Sequence, residues 1–352
     1  MKFLFYPQGC LPVHGTTVEE RPLGGTEAGL ILLSRALARV GHSVTVMTGA
    51  PNPPLTNPLF LPYSALGDVG PVDVLVAVRE WMPILLPIEA KRRLFWTGDS
   101  YDQPQNLGLG DRRVAARVDA FLAVSEWHKA TICRASRFPE AKAWVIRNGI
   151  SPEHFRGEEA RSRKRLIYSS TPYRGLALLP SIWPLILARH PEAELHIFSG
   201  YEVYGGGASY PPHVLREYEH VTQTLRALPR CVVHGNVRQK ELAREFMKSS
   251  VLCYPNTFEE TSCITALEAQ AAGCAIVTSA LGALPETVGD AGILIGERPG
   301  TPEYQRAFVE ATNRLLEDDL LFEQLSAAGK RRAQESSWDH VAQRLLRFLG
   351  AA

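Results

Sequence analysis

Hydrophobic positions along this chain fall into short β-type runs separated by longer stretches of helical period. Residues 2–6 (KFLFY) read as a strand, a Gly/Pro-rich loop runs through Gly25, and residues 26–40 (TEAGLILLSRALARV) carry the spacing of an amphipathic helix stopped by Gly41. Residues 43–47, 73–78, 93–97, 120–124 and 144–147 continue the strand series, with helical segments between most of them. Short strands alternating with helices predict a parallel sheet wound on both faces. The pattern lapses over residues 151–165 (SPEHFRGEEARSRKR), which read as an exposed, charge-dense linker. The basic run from Arg161 to Arg165 is then a solvated segment, with contact to an anionic lipid surface as the weaker alternative.

Alternation resumes beyond the linker. Residues 166–169, 194–198, 231–234, 251–254 and 275–278 read as strands, and helices are expected near 176–189, 213–228, 238–248 and 262–272. Residues 302–328 and 338–349 read as terminal helices. The expectation is two α/β domains, residues 1–155 and 156–335. Residues 336–352 would form a C-terminal helix able to pack back on the first domain.

Composition changes this picture little. The 352 residues are 45% hydrophobic, enough for two sizeable cores, and the formal net charge of +1 argues against a general nucleic-acid binder. The six cysteines, Cys10, Cys133, Cys231, Cys253, Cys263 and Cys274, form no C-x-x-C pair, which suits a reducing cytosol and offers no zinc ribbon. No apolar run is long enough to span a bilayer and the N-terminus is not a signal peptide, so a cytoplasmic protein is expected, with peripheral membrane contact left open.

Several catalytic signatures are missing: H-E-x-x-H, G-x-S-x-G, a P-loop and a dinucleotide fingerprint after the first strand. The triplet Gly205–Gly207 opens into Tyr210-Pro211-Pro212 and reads as a structural or lid loop. The informative stretch is residues 254–273 (YPNTFEETSCITALEAQAAG), a strand end, a polar loop and a helix starting near Thr261 or Ser262. A helix N-terminus presents unbonded N–H groups and a positive dipole end to a phosphate. Glu260 precedes that helix, and Glu268 lies inside it among alanines, where an acid needs a partner.

Glu260-x7-Glu268 with the following Ala-Gln-Ala-Ala-Gly resembles the E-x7-E segment of retaining glycosyltransferases of family GT4, which have the GT-B fold. Gly24-Gly25-Thr26-Glu27 resembles that family's glycine loop after the first strand. Residues 145–150 (VIRNGI) resemble the turn closing the first domain, and His234-Gly235 the pair before the nucleotide-recognition helix. The resemblance implies two Rossmann-like, doubly wound parallel-sheet domains facing a central cleft, the first binding acceptor and the second donor. It implies that Glu268 holds the donor's ribose hydroxyls and that Glu260 faces the donor sugar. Amides of Ser262, Cys263 and Ile264 would hold the diphosphate, Arg174 would neutralise it on departure, and Gly24 and Gly25 would let a loop approach it.

The expected reaction is transfer of a sugar from a nucleotide diphosphate sugar (UDP- or GDP-linked) to a glycan, lipid-linked or small-molecule hydroxyl acceptor. It would proceed with retention, without a metal ion or other cofactor. Where many relatives carry a histidine after the fourth strand this chain has Phe95-Trp96-Thr97-Gly98-Asp99, so Asp99 is the nearest candidate to stand in as an acceptor contact or base, with a turn or cap aspartate after Gly98 as the equal alternative. A helix-start histidine, His128, reads as structural. The arginine–lysine pair of many relatives is reduced to Arg174. Sugar-nucleotide epimerisation and a non-catalytic nucleotide-sugar-binding protein are the alternative readings.

Overall fold

A computed structural model describes residues 1–51, 53, 56–206 and 210–351; Gly207 lies outside the described residues. The chain divides into two compact units, Met1–Glu20, Gly24–Gly149 and Ser337–Ala352 in one, Arg21–Leu23 and Ile150–Ser336 in the other.

The first unit is built on β1 (Lys2–Tyr6), α1 (Thr17–Glu20), α2 (Gly25–Arg39), β2 (Ser43–Thr48), β3 (Leu59–Pro62), β4 (Val72–Val78), β5 (Ala90–Trp96), α3 (Arg112–Arg117), β6 (Ala120–Ala123), α4 (Glu126–Ser136) and β7 (Ala143–Val145). Its seven strands are ordered β3-β2-β1-β4-β5-β6-β7, and every pairing is parallel. Leu4 pairs with Thr45 on one side and Leu75 on the other. Burial on both faces explains why these strands read as near-continuous apolar runs. Four-residue β3 escapes sequence reading because Pro58 and Pro62 bracket it.

The second unit contains β8 (Arg165–Ser169), α5 (Leu179–Arg189), β9 (Glu194–Phe198), α6 (Pro212–Ala227), β10 (Cys231–Val233), α7 (Gln239–Lys248), β11 (Val251–Tyr254), α8 (Ile264–Ala272), β12 (Ala275–Ser279), α9 (Leu284–Val288), β13 (Gly292–Ile295), α10 (Pro302–Glu317) and α11 (Asp319–Gln334). Its six parallel strands repeat the same winding, β10-β9-β8-β11-β12-β13. Tyr168, Trp183, Leu195, Cys253 and Phe308 sit in its core. In each sheet the strand order reverses beside the first strand, β1 against β4 and β8 against β11. Carboxyl ends of strands at such a reversal are where open α/β sheets bind ligands.

Three expectations need correction. Residues 302–328 are not one helix: the chain breaks at Asp318, whose carboxylate accepts the Leu321 N–H at 2.9 Å and caps α11. The basic run is not a solvated linker. Arg161 donates to the carbonyls of Ser249, Ala272 and Gly273, covering the C-terminal end of α8. Arg163 donates to the Leu315 carbonyl at 2.8 Å and lies 3.7 Å over the Phe322 ring. These guanidiniums satisfy orphan helix carbonyls, a use of charge that composition does not reveal. Finally, β13 was not foreseen, a short strand hidden by its glycine start.

The last helix, α12 (Trp338–Phe348), belongs to the first unit and packs on α2, burying Trp338, Val341 and Leu345. All six cysteines are free. Among the described residues no helix is long and apolar enough to cross a membrane.

Candidate active site

The second unit assembles its polar residues where β8 and β11 end side by side. Gly175, at φ +103°, lets the loop after β8 press on the loop after β11; a Cβ there would lie 1.9 Å from the Pro255 carbonyl oxygen. That approach brings Arg174 to Glu260. Arg174 Nη1 donates to both carboxylate oxygens, at 2.8 and 2.9 Å. The Tyr254 hydroxyl donates to Glu260 Oε1 at 2.6 Å and lies 3.3 Å from Ser170 Oγ. Gly282, also left-handed, fits against the Glu260 backbone, and the Ala283 N–H donates to the Glu260 carbonyl at 2.7 Å.

Glu260 is 3% exposed. Burying a carboxylate that deeply is costly unless it is paired and hydrogen-bonded, and here an arginine and a tyrosine do both. Burial alone would lower the Arg174 pKa, but the Glu260 carboxylate outweighs it and holds the guanidinium well above its ordinary value. The guanidinium also lies 4.7 Å over the Phe258 ring.

Beyond Glu260 the chain does not enter the helix at once. Cys263 takes a left-handed backbone (φ +74°), and α8 begins at Ile264, later than the expected Thr261 or Ser262. Ser262 and Cys263 therefore lie in the turn that leads into the helix, and only Ile264 lies inside it. No side chain caps this end, and among the described residues the N–H groups of Ser262, Cys263 and Ile264 have no acceptor. Thr287 Oγ1 donates to the Ser262 carbonyl and fixes the turn. The result is a row of unbonded amides on a preorganised turn, suited to an anion.

Glu268 has a different environment. It is 5% exposed, and burial raises its pKa from the usual carboxylate range to about 7, against the opposing hydrogen bond from Gln239. Gln239, the first residue of α7, donates Nε2–H to Glu268 Oε1 at 2.9 Å.

Asp99, Gly24 and Gly25 lie in the first unit. Gly24 caps α2 at φ −66°, a backbone any residue can adopt. Asp99 follows β5, and its carboxylate receives Arg79 Nε at 3.1 Å. Burial raises the Asp99 pKa while Arg79 opposes the rise. Arg79 itself has φ +70°, donates to the Gly9 carbonyl at 3.0 Å and lies 3.8 Å from the buried Glu27. A non-glycine residue held in that conformation is over-determined by its surroundings. His128 is buried, its pKa pushed down to about 4 by burial, with Nε2 2.9 Å from the Asp99 carbonyl oxygen. Its role is structural.

Sequence reasoning missed Tyr254, Gln239 and Arg79. Tyr254 reads as an ordinary strand residue and Gln239 as an ordinary helix start. Arg79 carries no signal at all, because a left-handed arginine cannot be read from its neighbours.

Comparison with known proteins identifies the fold. Sucrose-phosphate synthase from Thermosynechococcus elongatus superposes with a TM-score of 0.71 at 16% identity, covering 99% of this chain and 98% of that one. HepE of Anabaena, solved in complex with UDP-glucose, gives 0.71 at 15% identity and covers 100% of both chains. At such identities the likeness shows the fold, which is that of the GT-B glycosyltransferases.

Residues 163–318 match the family described as "Glycosyl transferases group 1". Among sequence relatives, an MMP alpha-(1->4)-mannosyltransferase of Mycolicibacterium hassiacum is 29% identical over 238 residues, 66% of this chain and 54% of that protein. A D-inositol 3-phosphate glycosyltransferase of Streptomyces bingchenggensis is 26% identical over 300 residues, 78% and 62% respectively. The matched region thus spans between half and two thirds of those relatives' length.

Proposed function

We propose that this chain transfers a sugar from a UDP- or GDP-sugar to a hydroxyl acceptor, retaining the anomeric configuration and using no metal ion. The observation that carries the reading is the buried Arg174–Glu260 pair beside the unbonded amides of Ser262, Cys263 and Ile264. Cleaving a sugar–phosphate bond demands stabilisation of the departing diphosphate, and preorganised amides with one guanidinium supply it without reorganisation. In this reading the bond from the anomeric carbon to the phosphate oxygen breaks and the acceptor oxygen takes its place on that carbon. The acceptor's proton passes to a base, for which Asp99 is the candidate. Glu260 faces the sugar, and Glu268 accepts the ribose hydroxyls. Gly24 and Gly25 leave room for the phosphates.

Names of relatives add support: an α-mannosyltransferase and a glycosyltransferase of inositol phosphate among sequences, and a UDP-glucose complex among structures. The acceptor in this reading is a glycan, lipid-linked or small-molecule alcohol, met in the cytoplasm. A thermal-shift panel of UDP, GDP, ADP and TDP tests the donor. One nucleotide should raise the melting temperature of the wild type, and that shift should shrink in Glu268→Ala. No shift with any of the four would count against the reading.

A further inference from the structure

Glu268 is the carboxylate this reading assigns to ribose, yet it sits in an environment that opposes its ionisation. Among the described residues its one hydrogen-bonding side chain is Gln239, through Nε2 at 2.9 Å. Gln239 keeps that bond at a cost, since its own Oε1 is buried and has no partner. A buried acceptor left unmade is unfavourable, and an amide free to turn would exchange it for a better arrangement. The geometry points to an amide held in one orientation by the carboxylate it serves. Glu268 Oε1 is thereby occupied, while no described hydrogen bond engages Oε2.

Resting on the proposed nucleotide-sugar reading, we propose that Gln239 is a positioning residue. Its amide N–H fixes the Glu268 carboxylate and favours the ionised form, so that the carboxylate accepts the ribose hydroxyls of a nucleoside diphosphate near neutral pH. A neutral carboxyl would present one hydrogen of its own and lose acceptor capacity. Several charged groups on the elements packed against α8 are paired elsewhere. Glu241 pairs with Arg238, Glu245 with Arg165 and Lys248, and Arg332 reaches the Glu286 carbonyl. Lys330 lies along Gly273 at the far end of α8, and the Cys263 thiol, pushed well up by burial, stays neutral at its start. His154 lies in the short turn Pro152–Phe155 that packs on α7 and α8.

The test is calorimetric titration of UDP and GDP into the full chain between pH 5.5 and 9, for wild type, Gln239→Met and Glu268→Gln. Wild-type affinity should rise with pH through about 7, following Glu268 ionisation. In Gln239→Met the midpoint should move up by about one pH unit, with affinity roughly fivefold lower at pH 7 and largely recovered at pH 9. Glu268→Gln should bind weakly with no midpoint. A Gln239→Met midpoint equal to wild type, with or without a uniform loss of affinity, would overturn the proposal. If neither nucleotide binds the wild type, the nucleotide reading fails by itself. Gln239 is then judged from the Glu268 carboxyl resonance of the ligand-free chain: an upward-shifted titration in Gln239→Met supports the positioning role, an unshifted one refutes it.

Discussion

Glu260 and Glu268 lie eight positions apart and are buried to the same depth, 3% and 5% exposed, but the loop and the helix treat their carboxylates oppositely. In the loop, Glu260 has a guanidinium on both oxygens and a tyrosine hydroxyl on one. In the helix, Glu268 has a single amide N–H, and its pKa is pushed up to about 7. The same residue type is therefore held by an arginine and a tyrosine in one place and left a titrating group in the other. The contrast teaches that an identical spacing carries two kinds of chemistry: Glu260 is committed by its partners before any ligand arrives, whereas Glu268 awaits one.

The strongest way to break the comparison is to remove the counter-charge. Arg174→Ala leaves Glu260 with its tyrosine alone and takes the guanidinium from the leaving group; turnover should fall by about 100- to 1000-fold, read from nucleotide release. The same variant should melt earlier, because stripping one partner from a buried pair costs roughly 3–5 kcal/mol. Arg174→Lys, which restores a point charge without the fork, should recover only part of the rate.

Glu268 should respond in the reverse sense. Its carboxyl in the unfolded chain releases its proton near the ordinary glutamate value of 4.5, while the folded group holds its proton up to about 7. Between those values the folded state binds the extra proton, so the contribution of this group to stability declines as pH rises across the window and levels off above it. Glu268→Gln should therefore stabilise the ligand-free protein by about 3 kcal/mol at pH 8 and by almost nothing at pH 4, measured by urea unfolding. Nucleotide affinity should meanwhile drop about tenfold or more, since a charged acceptor is lost. A site that costs stability and serves binding would show both effects together.

The smallest effect is expected at Tyr254. Tyr254→Phe keeps the ring packed on Tyr168 at 5.8 Å and deletes only the hydroxyl on Glu260. With Arg174 Nη1 still donating to both carboxylate oxygens, turnover should fall by roughly 3- to 30-fold, with the KM for the donor unchanged, in keeping with the loss of one hydrogen bond. An unaltered rate would show that Arg174 alone sets the Glu260 carboxylate.

The alternation of strands and helices was legible because both sheets are parallel and buried, so each strand is a compact apolar run. The strands that escaped, β3 and β13, end on a proline and begin on a glycine, residues that read as turn punctuation. Within the candidate site, Glu260 and Glu268 were visible because their segment is contiguous. That Arg174 meets Glu260 was not contained in any spacing; it follows from β8 and β11 being parallel neighbours. The delayed start of α8 was hidden for another reason, since a left-handed Cys263 violates the preference that makes glycine a turn signal. Arg161 and Arg163 misled because a basic run looks the same whether its guanidiniums meet water or helix carbonyls.

The central claim is that Arg174 and Glu260 serve departure of a nucleoside diphosphate, and one measurement reaches it most directly. Nucleotide release from UDP-glucose and GDP-mannose is followed with EDTA present, for wild type and Arg174→Ala. The account predicts that the wild type releases UDP or GDP from one of the two and that the variant is slower by about 100-fold or more. Release at an equal rate by both proteins, or from neither donor by the wild type, would contradict it.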